Sequence, residues 1–405
     1  MNRINLLVMA IWISSALFGA DVVVHETGAG GAYTSIQEAL INANDGDRVL
    51  VVDKLSGQPW EEDITISKSL TISSAFNDSS FLMRGNVTIN PIAAGAEINI
   101  IGMRNTKGDL VASSAAPIGT RAKVNIVGSE FIGEVNFDFD NYELEFASNK
   151  IYGNIKARYA RILGNEIGGA IDLLDDTNPT ADEVMVVGNK IDCVSDPICI
   201  ECNSASYKVN IRNNYVTGPL TMIQINKTRE DGLNTIVNNS LFTNDTQYGG
   251  GTIWIETIGA DATMEIYNNL LSAVEGNSAR AGIKLGFNFS GDLNAFDLSF
   301  NHVDKDYPIL IDTRLEENGT NVTTNDVEMD SDGKSLTVET VNSGDPRFLF
   351  YDIDLTRNDI GAYGGSFTLD NFHPIDGSAR VYFLQAPHAV YIGDPINIEI
   401  HGYDK

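Results

Sequence analysis

Seven asparagines limit what this chain can fold into. Between residues 144 and 303 one short pattern recurs: alternating apolar residues, a small or polar residue, Asn, then a second apolar strand. It reads LEFASNKI at 144–151 and ARILGNEI at 160–167, and returns at 184–191, 209–216, 235–242, 264–271 and 296–303. The asparagines are Asn149, Asn165, Asn189, Asn214, Asn239, Asn269 and Asn301, separated by 16, 24, 25, 25, 30 and 32 residues. Ser129 holds the equivalent place 20 residues before Asn149. Strands this short cannot bury an apolar face alone, so successive coils must stack at about 4.8 Å to enclose a core. The pattern predicts an all-β, right-handed parallel β-helix with one coil per repeat and loops of variable length. Asn tolerates the left-handed backbone of a tight corner, and asparagines at one corner of successive coils can hydrogen-bond as a structural ladder.

The start of the chain supplies a leader and a cap. Arg3, the apolar run 4–13 and the small residues Ser14, Ser15, Ala16, Gly19 and Ala20 read as an export signal spanning 1–20, cleaved after Ala20 or after Ala16. The apolar run is too short to span a bilayer, and no later segment reaches that length. Ser35 and Glu38 are spaced as a capping box, with Ile36, Ala39, Leu40 and Ala43 on one face. Asn44-Asp45-Gly46 stops this helix before a strand over 48–53. A small amphipathic helix is what an open coil end needs to cover its core and its strand edge.

The segments GAYTSIQEA (31–39) and GDRVLV (46–51) closely resemble the N-terminal cap of the pectin-lyase-like superfamily, and ITISKSLTI (64–72) its opening coils. DIDLTRNDIGAYGG (352–365) looks like the closing motif of many secreted bacterial β-helix proteins. The resemblance covers about residues 22–367 and implies the helical fold over 21–367. It implies no single activity, because the superfamily mixes lyases, hydrolases, esterases, epimerases and non-catalytic surface proteins. Beyond it, 368–405 carries sandwich-like alternation at 381–384 and 396–400, set off by Pro387 and Gly393-Asp394-Pro395. These read as the opening strands of an Ig-like module, which either pack on the helix end or belong to something larger.

Charge narrows the partners. The 405 residues hold 55 Asp plus Glu against 27 Lys plus Arg, a formal net charge of −28. That surface repels nucleic acid and anionic membranes, and repels a polyanionic glycan unless divalent cations intervene. Acidity also keeps an exported monomer soluble. Cys193, Cys199 and Cys202 lie within ten positions with no His nearby, which argues against zinc. In an oxidising compartment Cys193 bridges either Cys199 or Cys202, leaving one thiol free. Sequons such as Asn77-Asp78-Ser79 and Asn86-Val87-Thr88 matter only where the source glycosylates its exports.

Chemistry, if any, belongs on the strand after the corner. Counting seven residues on from Ser129, Asn149 and Asn165 reaches Asn136, Lys156 and Asp172. The outward residues of that face are then Asp138, Lys156, Arg158, Asp172, Glu201, Gln224, Trp254, Glu256 and Lys284. One reading is a groove for an extended polysaccharide, with Trp254 stacking on a sugar ring. A sharper one is a calcium-assisted polysaccharide lyase. Calcium on Asp138, Asp172 or Glu201 would neutralise a uronate carboxylate, and a neutral Lys156 or Arg158 would remove the neighbouring proton for β-elimination. The plain structural alternative is a charge ladder pairing Asp138 with Lys156 and Arg158 with Asp172.

Other acids offer less. Asp172, Asp175 and Asp176 could imitate the acid cluster of the superfamily's glycoside hydrolases, but the motifs that accompany it are absent, and a solvated turn before Asn178-Pro179 accounts for them. The five histidines (25, 302, 373, 388 and 401) form no triad or metal box. Asp352, Asp354 and Asp359 could hold calcium at the helix end or simply cap turns. The expectation is therefore a secreted or cell-surface β-helix, non-catalytic, contacting polysaccharide or serving in adhesion, with the calcium-assisted lyase as the alternative.

Overall fold

The computed structural model describes residues 19–404 except 77–78, 177–182, 244–250, 274–280, 305–308, 317, 325–326, 328–329, 331–333, 336, 374–378 and 386–397. The segment 1–20, expected to be an export signal, therefore lies outside the described residues apart from Gly19 and Ala20, as do Asn77, Asn178-Pro179 and His388. Among the described residues no helix is long and apolar enough to cross a membrane.

The chain is a right-handed parallel β-helix of three sheets. The first has twelve strands, from Asp21–Val24 to Phe296–Ser299. The second also has twelve, from Trp60–Glu61 to Val322–Thr324, and the third eleven, from Ile64–Ile66 to Ile309–Ile311. One coil runs Tyr142–Ala147, Lys150–Ile151 and Ile155–Ala157, and the next begins at Ala160–Leu163. Phe146 pairs with Ile162, Ile151 with Ile167 and Ile155 with Ile171, so like positions stack. The inward column Phe146, Ile162, Val186, Ile211, Ile236 and Ile266 is 0 % exposed throughout. Each such side chain contributes about 1.5–3 kcal/mol by leaving water.

The asparagine ladder forms as the spacing predicts. From Asn149 to Asn301 each Nδ2 donates to the Oδ1 of the asparagine one coil on, at 2.9–3.0 Å. Asn321 extends the row by one rung at 2.9 Å, and the Ser129 backbone N–H meets Asn149 Oδ1 at 2.8 Å. The left-handed residue, however, is the one before each ladder asparagine: Ser148, Gly164, Gly188, Asn213, Asn238, Asn268 and Phe300. The ladder asparagines serve the corner by hydrogen bonding rather than by backbone conformation.

The helix Ile36–Asn42 closes the N-terminal end, with Ile36, Ala39 and Leu40 buried. Ser35 Oγ accepts from the Glu38 N–H at 3.2 Å, but the returning carboxylate of the capping box is Glu62, which takes Ser35 Oγ–H and the N–H groups of Ile36 and Gln37. Gln37 exchanges two hydrogen bonds with the backbone of Thr65 in the terminal strand of the third sheet. A side-chain amide thus occupies the free strand edge.

The far end differs from the expectation. The 352–365 motif lies along the asparagine corner and not across the last coil. Asn213 Nδ2 donates to the carbonyls of Ala362 and Gly364, Asn238 Nδ2 to Asn358 Oδ1 at 3.0 Å, and the Gly361 N–H to the Asn268 carbonyl. The chain then runs back toward the N-terminal coils, where Phe372 packs on Val127, Ala147, Leu163, Met185 and Val187. Gly188, at φ +67°, has Phe372 so close that a Cβ would fall 2.2 Å from its ring. The strands Ala379–Gln385 and Glu399–Asp404 pair antiparallel, and His401 Nδ1 lies 3.0 Å from Glu145 on the first sheet.

Cys193 is bonded to Cys199, and Cys202 is the free cysteine, fully buried in the core. Burial, reinforced by Glu201 and Asp172, pushes its thiol far up, so it stays protonated and inert.

Candidate functional site

The predicted outward residues lie on the third sheet or, for Asp138 and Arg158, one residue past the ends of its strands Val135–Phe137 and Ile155–Ala157, and the alignment holds through the coils with longer loops. The register runs Asn136, Lys156, Asp172, Glu201, Gln224, Trp254, Lys284, each directly across from the next. Their inward neighbours, such as Ile155, Ile171, Ile200, Ile223, Ile253 and Ile283, are all 0 % exposed, which fixes the outward set by alternation. Glu256 stands two residues beyond Trp254 on its strand, and Asp138 and Arg158 two residues beyond Asn136 and Lys156, just past their strand ends.

At the Asp138 end the face is self-neutralised. Lys156 Nζ lies 2.9 Å and Arg158 Nη2 3.1 Å from the Asp138 carboxylate, and Arg158 also reaches Asp140 at 3.3 Å. Arg158 spends its remaining reach on the Asp175 carbonyl. The anticipated pairing of Arg158 with Asp172 is replaced by Asp140, a residue not singled out from the sequence. The Lys156 ammonium is held above its ordinary value, chiefly by its hydrogen bond to Asp138. A proton-abstracting lysine needs the opposite shift.

The middle of the face is different. Asp172 and Glu201 are direct cross-strand neighbours, and burial first, then Glu201, raises the Asp172 carboxyl above the usual range. Glu201 accepts from Asn226 Nδ2 at 2.5 Å, and Asn226 Oδ1 accepts from Gln224 Nε2 at 2.6 Å. Trp254 is half-buried, its Nε1–H donating to Glu256 at 2.6 Å, and the Lys284 ammonium sits 5.1 Å from its ring centre.

Among the described residues no three His, Cys, Asp or Glu side chains come together as a metal site. Asp352 accepts the N–H groups of Asp359 and Gly365, Asp354 the N–H and the hydroxyl of Thr356, and Asp359 the N–H of Asn342, so these acids cap turns of the C-terminal segment that crosses the asparagine corner. Of the two acids beside Asp172, Asp175 is exposed and Asp176 is not. Asp176 is buried against Arg121, paired at 2.5 Å, and Arg121 stacks on Tyr159. Asp175 holds Ser204, Ala205 and Ser206. Of the expected charge ladder the Asp138–Lys156 pair forms and the Arg158–Asp172 pair does not; a longer ladder runs on the second sheet, where Arg104, Glu130, Lys150, Glu166 and Lys190 alternate in register.

No protein-family model, no curated protein and no solved structure matches this chain.

Proposed function

We propose that this protein is an exported or cell-surface β-helix of pectin-lyase-like type that binds an extended polysaccharide along its third sheet without cleaving it, acting as a monomeric contact or adhesion module. One observation carries the reading. From Lys156 to Lys284 charged, amide and indole side chains follow one another in unbroken register, a row about 24 Å long at one coil rise per step. Such a row offers a polymer repeated donors and acceptors with one aromatic platform, the composition of a sugar-binding surface. The Cys193–Cys199 bond suits the oxidising exterior to which the N-terminal segment would direct the chain.

Binding is favoured over the lyase because Lys156 and Arg158 are both engaged by Asp138, and Lys156 is shifted away from the neutral form. Calcium has no required part in this reading. The test is affinity electrophoresis of the mature protein through neutral and uronate polymers, with and without calcium, alongside the ultraviolet absorbance of unsaturated product. Retardation without product is expected. Product that disappears in Lys156→Ala would overturn it.

A further inference from the structure

The strand Ala281–Ser290 of the third sheet contains a device that regular coiling does not need. Ile255 pairs with Leu285, yet Thr257 pairs with Ser290, so residues 286–289 stand opposite the single residue Glu256. A bulge of this kind bends its strand and re-aims side chains. Phe289 turns inward and packs on the core beside Phe296, whereas Phe287 is thrown outward and is 87 % exposed. The space that a side chain at Gly286 would fill is taken by the Glu256 carboxylate, 1.9 Å from where a Cβ would sit.

The bulge is also braced from the next coil. Arg314 Nη2 and Nη1 donate to the carbonyls of Leu285 and Gly286 at 2.6 and 3.0 Å. Asp312 accepts the Leu285 N–H and holds Arg314 through two hydrogen bonds of 2.9 Å. An exposed phenylalanine on a braced bulge gives the fold nothing by its own burial. Its ring faces the Lys284 ammonium at 5.5 Å, and Trp254 faces the same ammonium at 5.1 Å. Lys284 makes no ion pair among the described residues, in contrast to Lys156.

We propose that Trp254 and Phe287, with Lys284 between them and Glu256 beside them, form a stacking subsite for a neutral pyranose ring. This deepens, and rests on, the reading of the third sheet as a glycan-binding face. The rings offer apolar faces to axial C–H groups. Lys284 donates to ring hydroxyls once it leaves the aromatic faces, and Glu256 accepts from them. A net charge of −28 disfavours a polyanionic chain, which leaves neutral sugars as the class the subsite fits.

The experiment is affinity electrophoresis through hydroxyethylcellulose, xylan and polygalacturonate, comparing the wild type with Phe287→Ala, Phe287→Trp and the distant Asp172→Asn. At least one neutral polymer should retard the wild type. Phe287→Ala should weaken that interaction about fivefold or more while Phe287→Trp preserves it, with circular dichroism unchanged in both. Undiminished binding by Phe287→Ala, or binding confined to polygalacturonate, would overturn the subsite and leave the wider glycan-face reading standing. Loss in Phe287→Ala with none in Asp172→Asn would keep the subsite and overturn the extended face. A protein that binds none of the three polymers would remove both.

Discussion

Asp172 and Glu201 face each other across adjacent strands of the third sheet, carboxylate beside carboxylate, in a row whose other neighbours are neutral or opposite in charge. Like charges in this position work against the fold. The folded-state value of Asp172 lies above the unfolded one, so the native protein binds more protons in the window upward from about 3.9. Stability therefore falls as pH rises through that window. Asp172→Asn should raise stability at neutral pH by about 0.5 kcal/mol. The gain should vanish below the unperturbed carboxylate value, read as urea midpoints at several pH values. An Asp172→Asn protein less stable than wild type at neutral pH would show that attraction to Lys156 outweighs the repulsion.

The ladder makes the largest single-site prediction. Asn189 is 0 % exposed, its Oδ1 accepts two hydrogen bonds from Asn165, and its Nδ2 donates to Asn214 and to the Ile162 carbonyl. Asn189→Ala leaves these partners buried without replacements and should cost about 2–4 kcal/mol. Lys190→Ala, half-exposed next door, should change stability by less than about 0.5 kcal/mol. Equal effects in denaturant unfolding would contradict the ladder's role.

Phe372 should hold the C-terminal strap to the coils it crosses. Phe372→Ala removes the ring from the Val127, Ala147, Leu163, Met185 and Val187 cluster, a loss of about 3 kcal/mol felt locally. Gly188→Ala drives a methyl into the same ring. Both variants should speed hydrogen exchange across residues 361–373 while the inner strands stay protected. Uniform acceleration throughout the helix would mean that the strap and coils unfold as one unit.

His302, buried on the second sheet, is pushed down to about 4 by burial. Between roughly 6.5 and that value the unfolded chain binds more protons, so stability should decline as pH falls through this interval. His302→Gln should flatten that part of the curve. An unchanged slope would place the acid sensitivity elsewhere.

The features legible in the sequence are those that repeat locally. Asn149 to Asn301 give the coil register because each meets the same hydrogen-bonding partner one coil on, and the alternation about Ile155, Ile171 and Ile200 places the outward row. The motif at 352–365 is legible but its placement is not, because its contacts join residues more than a hundred positions apart, such as Asn238 and Asn358. A signal was present: Ala147, Leu163 and Val187 break the alternation just before the corner, and an outward apolar column needs a cover. The Arg121–Asp176 pair and the bulge at Phe287 depend on loop lengths and register shifts that no local pattern encodes.

The central claim is that the third sheet, and no other face, meets a glycan. Its most direct measurement compares affinity electrophoresis of Trp254→Ala with that of Glu166→Ala, a second-sheet variant exposed to a similar degree. Trp254→Ala should bind about tenfold more weakly, and Glu166→Ala should match the wild type. Equal binding by Trp254→Ala and wild type, or loss confined to Glu166→Ala, would contradict it.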